Sequence, residues 1–178
     1  MTGGAAAAAP LRLFFALWPD AATRAALAEW GRRMHRVTGG RPTRPEAIHQ
    51  TLAFLGDCTP ARLAEIAAAA GRVRPRRFEL VLDRAGVWQH NRVAWAGAAA
   101  VPPELDALVA ELRAGLVAAR LAFDPKPFVP HVTLVRKARP GAALPALEPI
   151  RWSIAEFVLV RSVLRPDGSD YAIQGRWG

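Results

Sequence analysis

The chain has 178 residues, 52% of them apolar, which is enough material for one globular body with a buried core. No apolar run reaches the roughly 18 residues of a membrane-spanning helix, so no membrane is expected among its partners. Cys58 is the only cysteine, which excludes an internal disulfide framework and a cysteine-based zinc site and makes a reducing, cytoplasmic setting the expectation. The formal net charge is +9, and nearly all the cationic charge is arginine, for Lys126 and Lys137 are the only lysines. Such a charge suits a polyanion such as RNA.

Residues 1–10 carry neither the charged start nor the strongly hydrophobic stretch of a signal peptide and read as a disordered tail. Leu11 to Leu17 is an apolar run suited to a buried strand, stopped by Trp18-Pro19-Asp20. Asp20 is a candidate N-cap for a helix to about Arg36, with Ala25, Leu27, Ala28, Trp30 and Met34 on one face. Gly39 to Pro45 is a loop by its turn residues. After a strand ending at Gly56-Asp57, Thr59-Pro60 predicts a capped helix to about Ala70. Strands are expected over 77–84 and 91–97, with a turn at Gln89-His90-Asn91 between Val87-Trp88 and the second of them. Pro102-Pro103-Glu104 opens a helix whose stripe is Leu105, Leu108, Val109, Leu112 and Leu116. A proline-rich approach covers 123–130, a long strand 151–164, a turn Pro166 to Ser169, and a final strand 171–177.

Two stretches stand out. Ile48-His49-Gln50-Thr51-Leu52 and Pro130-His131-Val132-Thr133-Leu134 repeat one pattern 82 residues apart. In a strand, residues i and i+2 share a face, so His49 goes with Thr51 and His131 with Thr133. The elements around them repeat as well: strand, proline-marked helix, loop, histidine. Two such halves packed about a pseudo-twofold axis would set the histidines opposite each other across a groove. The expected fold is therefore α+β and bilobal: two related lobes, each a mainly antiparallel sheet with flanking helices, with the active-site groove between them. Residues 11–178 are expected to form this single bilobal domain.

A lone histidine at a strand start is most often structural. A matched pair, each with its own threonine hydroxyl, is equipment for acid–base chemistry on a phosphate. No third ligand accompanies either motif, so no metal and no cofactor are expected. His35 reads as helix surface, His90 as turn, and Cys58 as a thiol without basic neighbours. The six tryptophans read as core, with Trp18 positioned to face the groove.

These stretches carry a family resemblance. Arg12-Leu-Phe-Phe-Ala-Leu17 with Pro19, Pro45 to Gly56, Phe128 to Arg136, and Ser162-Val-Leu with Gly168 and Tyr171 together resemble the two-histidine (2H) phosphoesterases, and most closely the RNA 2′,3′-cyclic phosphodiesterases, also called 2′-5′ RNA ligases. The resemblance spans about residues 11–177. It implies an enzyme that hydrolyses an RNA or nucleotide 2′,3′-cyclic phosphate to the 2′-phosphomonoester without a metal, and that could run 2′-5′ ligation in reverse. It implies His49 as proton donor, His131 as proton acceptor, Thr51, Thr133 and Arg136 on the phosphate, and Phe128 stacked on a base or sugar. The expected partners are RNA ends or nucleotides bearing the cyclic phosphate, with the protein a monomer. Arg136 is five residues beyond His131, an odd spacing that puts it on the opposite face of a regular strand. Ala47 and Gln50 depart from the family pattern, which often has asparagine and an aliphatic residue there. A non-catalytic RNA-binding module and a phosphodiesterase for another small cyclic nucleotide are the competing readings.

Overall fold

The computed structural model of the protein describes residues 9–166 and 168–178. The expected tail lies outside the described residues but for Ala9 and Pro10, as does Asp167 of the expected last turn.

The first strand, β1 (Leu11–Leu17), is followed by helix α1 (Ala21–Thr38). Asp20 caps α1 by accepting bonds from the Thr23 amide and hydroxyl, both at 2.9 Å, and these bonds hold its carboxyl below the usual range. The helix runs on to Thr38 and stops at Gly39, whose φ of 62° is one that glycine adopts at little cost. A two-residue strand β2 (Arg41–Pro42) and a 3₁₀ turn (Pro45–Ala47) lead into β3 (Gln50–Cys58). The helix expected from Thr59 begins as a 3₁₀ turn, Pro60–Arg62, and becomes α2 only over Leu63–Ala70, and the Thr59 side chain makes no cap bond.

Strands β4 (Phe78–Leu82), β5 (Arg84–Trp88) and β6 (Val93–Gly97) follow, then helix α3 (Pro103–Ala118) and β7 (Val132–Arg136). The stretch read as one strand over 151–164 is two, β8 (Ile150–Ile154) and β9 (Phe157–Arg165), before β10 (Gly168–Trp177). The break at Ala155-Glu156 lets β8 pair with β4 while β9 joins β1.

One sheet has the order β10-β9-β1-β3, a second β2-β7-β6-β5, and β4 pairs with β8 in a third, all antiparallel. The α+β class is as the sequence implies. The helices cross between halves: α1 packs on β7 and β6 of the second sheet, and α3 packs on β3 of the first. One core cluster therefore unites both halves, drawing Leu13 and Phe15 from β1, Leu112 from α3 and Leu134 from β7. Strand β9 explains its unbroken apolar run by being covered on both faces. Phe157 and Leu159 enter this core, while Val158 and Val160 join Phe14 and Ala16 in a second cluster on the opposite face. Full burial of each such side chain contributes about 1.5–3 kcal/mol.

The two motif strands share an irregularity. Where β6 pairs with β7, Ala94 faces Val135 and Trp95 faces Thr133, so Leu134 is an extra residue. Where β1 pairs with β3, Phe15 faces Ala53 and Ala16 faces Thr51, so Leu52 is the extra one. Each bulge resets the period of two: Leu52-Ala53 and Leu134-Val135 are both buried as consecutive pairs.

Candidate active site

His49 follows the 3₁₀ turn and His131 follows the proline-rich approach, each immediately before its strand. The two imidazoles are held in one way. His49 Nδ1 lies 2.7 Å from the Ala47 carbonyl oxygen and His131 Nδ1 lies 2.7 Å from the Val129 carbonyl oxygen. A carbonyl can only accept, so Nδ1 carries the hydrogen on both rings and each neutral ring keeps its Nε2 lone pair. Ala47 serves here through its backbone, so a missing asparagine side chain does not remove this support.

Both histidines line one cavity of about 390 Å³, together with Thr51 and Thr133. Bulge geometry then decides Arg136. With Leu134 inserted, Thr133 and Arg136 leave β7 on the same side, and Arg136 lines the cavity too. The opposite face follows from spacing only for a regular strand, and the bulge is the irregularity that brings Arg136 round to the cavity. The loop before His49 adds Arg41, Thr43 and Arg44 to the lining. Thr43 is pinned to β7 by its amide on the Leu134 carbonyl (2.8 Å) and its hydroxyl on the Thr133 carbonyl (2.9 Å). Arg44 bonds Asp170 and the Ser169 carbonyl, both at 2.9 Å, and so ties this loop to β10. Among the described residues no carboxylate lines the cavity, and no group of three or more His, Cys, Asp or Glu is placed to hold a metal. Three arginines, hydroxyls and two imidazoles make it a receptor for an anion.

Aromatic rings enclose the two histidines unequally. Trp18 stacks on His49 with centroids 5.5 Å apart and 9° between planes, Phe14 lies at 4.8 Å, and Tyr171 meets it edge-on at 5.2 Å. His131 has the Trp88 ring edge-on at 4.6 Å. Burial pushes the His49 imidazole from 6.5 down to about 4, opposed by the Ala47 carbonyl and aided by the charges of Arg136 and His131. The His131 imidazole is lowered as well, first by burial and then by Arg136, against its bond to the Val129 carbonyl.

Phe128 packs against the edge of the main core and is not among the cavity-lining residues. The aromatic rings on the lining are instead Trp88 and Tyr171. Neither was singled out as a site residue from the sequence, although Trp88 ends a strand beside an expected turn and Tyr171 falls in the closing hairpin. The basic, turn-rich loop Arg41 to Pro45 was legible as a loop, and its charge was the available signal that it edges the site. His35, His90 and Cys58 are not on the lining.

The family model described as "LigT like Phosphoesterase" matches residues 17–95 and 97–169. The chain belongs to this family. One matched segment holds His49 and the other His131. The RNA 2′,3′-cyclic phosphodiesterase of Escherichia coli (strain K12) is 34% identical over 170 residues, spanning 94% of this chain and 96% of that one. The RNA 2′,3′-cyclic phosphodiesterase of Thermus thermophilus is 32% identical over 173 residues, spanning 92% and 87%. The crystal structure of Escherichia coli LigT complexed with 3′-AMP superposes with a TM-score of 0.84 at 32% identity, covering 94% of this chain and 97% of that chain. Gln50, beside His49, is wholly buried, and neither its Oε1 nor its Nε2 meets a hydrogen-bond partner among the described residues.

Proposed function

We propose that this protein is a hydrolase that opens a 2′,3′-cyclic phosphate, at an RNA end or on a nucleotide, to the 2′-phosphomonoester. The observation that carries the reading is the pair of His-x-Thr strands facing one carboxylate-free, arginine-bearing cavity, each imidazole with its Nε2 available. Water attacks phosphorus in line with the 3′ oxygen. His131 Nε2 takes the proton from that water as the new P–O bond forms. His49 Nε2 delivers a proton to the 3′ oxygen as its bond to phosphorus breaks, so charge and atoms balance. The phosphate's own negative charge helps to protonate His49, and its burial among aromatic rings makes that proton easy to release, which suits the donor. Thr51, Thr133 and Arg136 hold the non-bridging oxygens with charge-assisted hydrogen bonds. Trp88 and Tyr171, rather than Phe128, are the rings that line the space beside the phosphate.

Each half supplies one imidazole, so residues 11–178 are read as one bilobal working unit that acts as a monomer. The lone thiol of Cys58 accords with a cytoplasmic setting. The test is to incubate the purified protein with a chelator and a nucleoside 2′,3′-cyclic phosphate and to identify the product isomer by chromatography. Continued formation of the 2′-phosphate is expected. Exclusive formation of the 3′-phosphate would reverse the leaving group, and no turnover would remove the reading. A substrate with sulfur at the bridging 3′ position leaves without a proton, so it should restore turnover to a His49 variant and not to a His131 variant.

A further inference from the structure

Beyond the cavity, the end of the second sheet where β6 begins and β7 stops bears cations that the chemistry above does not use. Asn91, in the turn before β6, and Arg136, the last residue of β7, both line the cavity. Next to them are Arg92 and then Lys137 and Arg139, all exposed. The two arginines are held by carbonyl groups, Arg92 by the backbone of the Lys137-Ala138 segment and Arg139 by the end of α1. Arg92 donates through Nη2 to the Lys137 carbonyl and through Nε to the Ala138 carbonyl, both at 3.3 Å. Arg139 donates through Nη2 to the Val37 carbonyl at 3.0 Å, and its amide donates to the Thr38 carbonyl at 2.8 Å. Carbonyls orient a guanidinium without cancelling its charge, and each guanidinium has five donors, so several remain for another acceptor. Among the described residues none of the three forms an ion pair. Arg92 and Lys137 each adopt a φ of 56°, a left-handed conformation that glycine or asparagine would take at less cost.

We propose that this rim, Arg92, Lys137 and Arg139 continuing from Arg136, is a track for the phosphate backbone of a single RNA strand whose terminal cyclic phosphate sits between the histidines. Arg139 is three residues past Arg136, so at most about 11 Å of chain separates them, a reach that the phosphates next to the end can cover. Fixed, unneutralised guanidinium groups facing solvent gain by displacing condensed counterions from a nucleic acid, which ties affinity to salt. The inference rests on the proposed reading of the cavity.

The test compares a nucleoside 2′,3′-cyclic phosphate with a short single-stranded oligoribonucleotide ending in the same group. A second arm measures binding of that oligonucleotide with a 2′-phosphate end, as a function of salt. Lys137→Gln/Arg139→Gln should leave kcat/KM for the nucleotide within twofold, lower it for the oligonucleotide roughly tenfold at low salt, and make the log–log salt slope of binding shallower by about 1.4. Lys137→Arg/Arg139→Lys should restore both. Arg139 also covers the last carbonyls of α1, so Lys137→Gln alone, at a side chain with no hydrogen bond among the described residues, serves if the double variant fails to fold. It should take about half of the slope change. An unchanged oligonucleotide rate and slope would overturn the track. If the wild-type protein hydrolysed neither substrate, the reading of the cavity would fail, and the salt slope of binding would still decide the track.

Discussion

His49 lies beneath the rings of Phe14, Trp18 and Tyr171, whereas His131 meets the edge of Trp88 beside a cationic rim. Their local designs match closely: the same His-x-Thr-Leu run, the same carbonyl on Nδ1 at 2.7 Å, and a bulge at the same leucine. Two residues past that leucine the halves part. The second has Arg136 over the cavity, and the first has Phe54, which packs with Phe14 and Tyr171 in the second apolar cluster under the Arg12 guanidinium. Repeated backbone geometry thus delivers two equivalent imidazoles, while unlike neighbours pack three aromatic rings around His49 and set His131 against Trp88. In the proposed in-line reaction the positions of water and leaving oxygen divide the roles of acceptor and donor, and the unlike neighbours tune how readily each imidazole holds its proton.

The largest expected effect comes from removing either imidazole. His49→Ala and His131→Ala should each lower kcat by about 10²–10⁴-fold, and the double variant should be little worse than either, because the pair works as a unit. Steady-state rates on a nucleoside 2′,3′-cyclic phosphate check this, and near-normal turnover in either single variant would remove that histidine from the chemistry.

Arg136→Gln probes the asymmetry directly. It should cost up to about a hundredfold in kcat/KM, from a lost charge-assisted hydrogen bond of roughly 1.5–3 kcal/mol. It should also move the pH profile. Both imidazoles are lowered in the unliganded protein, so the window in which one is charged and the other neutral, and with it the kcat/KM maximum, lies on the acidic side of 6.5. Arg136 lowers both, so its removal should shift the maximum upward; a shift downward would contradict the placement of its charge.

Thr51→Val and Thr133→Val keep the β-branching and delete the donor. Each should lower kcat/KM by about one to two decades, by the same hydrogen-bond magnitude, with little change in melting temperature. Unfolding of both variants would make the threonines structural instead.

Stability should report the His49 half. An unfolded imidazole takes up a proton near 6.5 while folded His49 resists until about 4, so the unfolded state gains as pH falls between those values. Stability from this group is therefore full above pH 6.5 and lost toward pH 4, on the order of 3 kcal/mol at most for a shift of this size. His49→Asn should flatten denaturant-derived stability over that window, whereas Lys126→Gln should not. The smallest effect concerns Gln50. Replacing its buried, unpartnered amide with leucine should raise stability by about 1–3 kcal/mol and leave kcat near normal. A loss of stability would mean that the amide has a partner in solution.

Much of the protein was legible in the sequence because its signals are local. The spacing of His49 to Thr51 and of His131 to Thr133 sets a shared face within a single strand. Asp20 and Gly39 mark helix ends by their own conformational preferences, and the 82-residue repeat announced two related halves. What the tertiary structure alone decided depends on partners far away in the chain. The bulge that turns Arg136 toward the cavity exists only where β7 meets β6, so no count along β7 could reveal it. The stretch 151–164 divides because β4 and β1 each claim one part, Phe128 is drawn to the core edge, and the rings around His49 come from three separate segments. Strand period and helix caps are fixed by neighbours a few residues apart. Facing, burial and the proton affinity of an imidazole are set by whatever the fold packs against it.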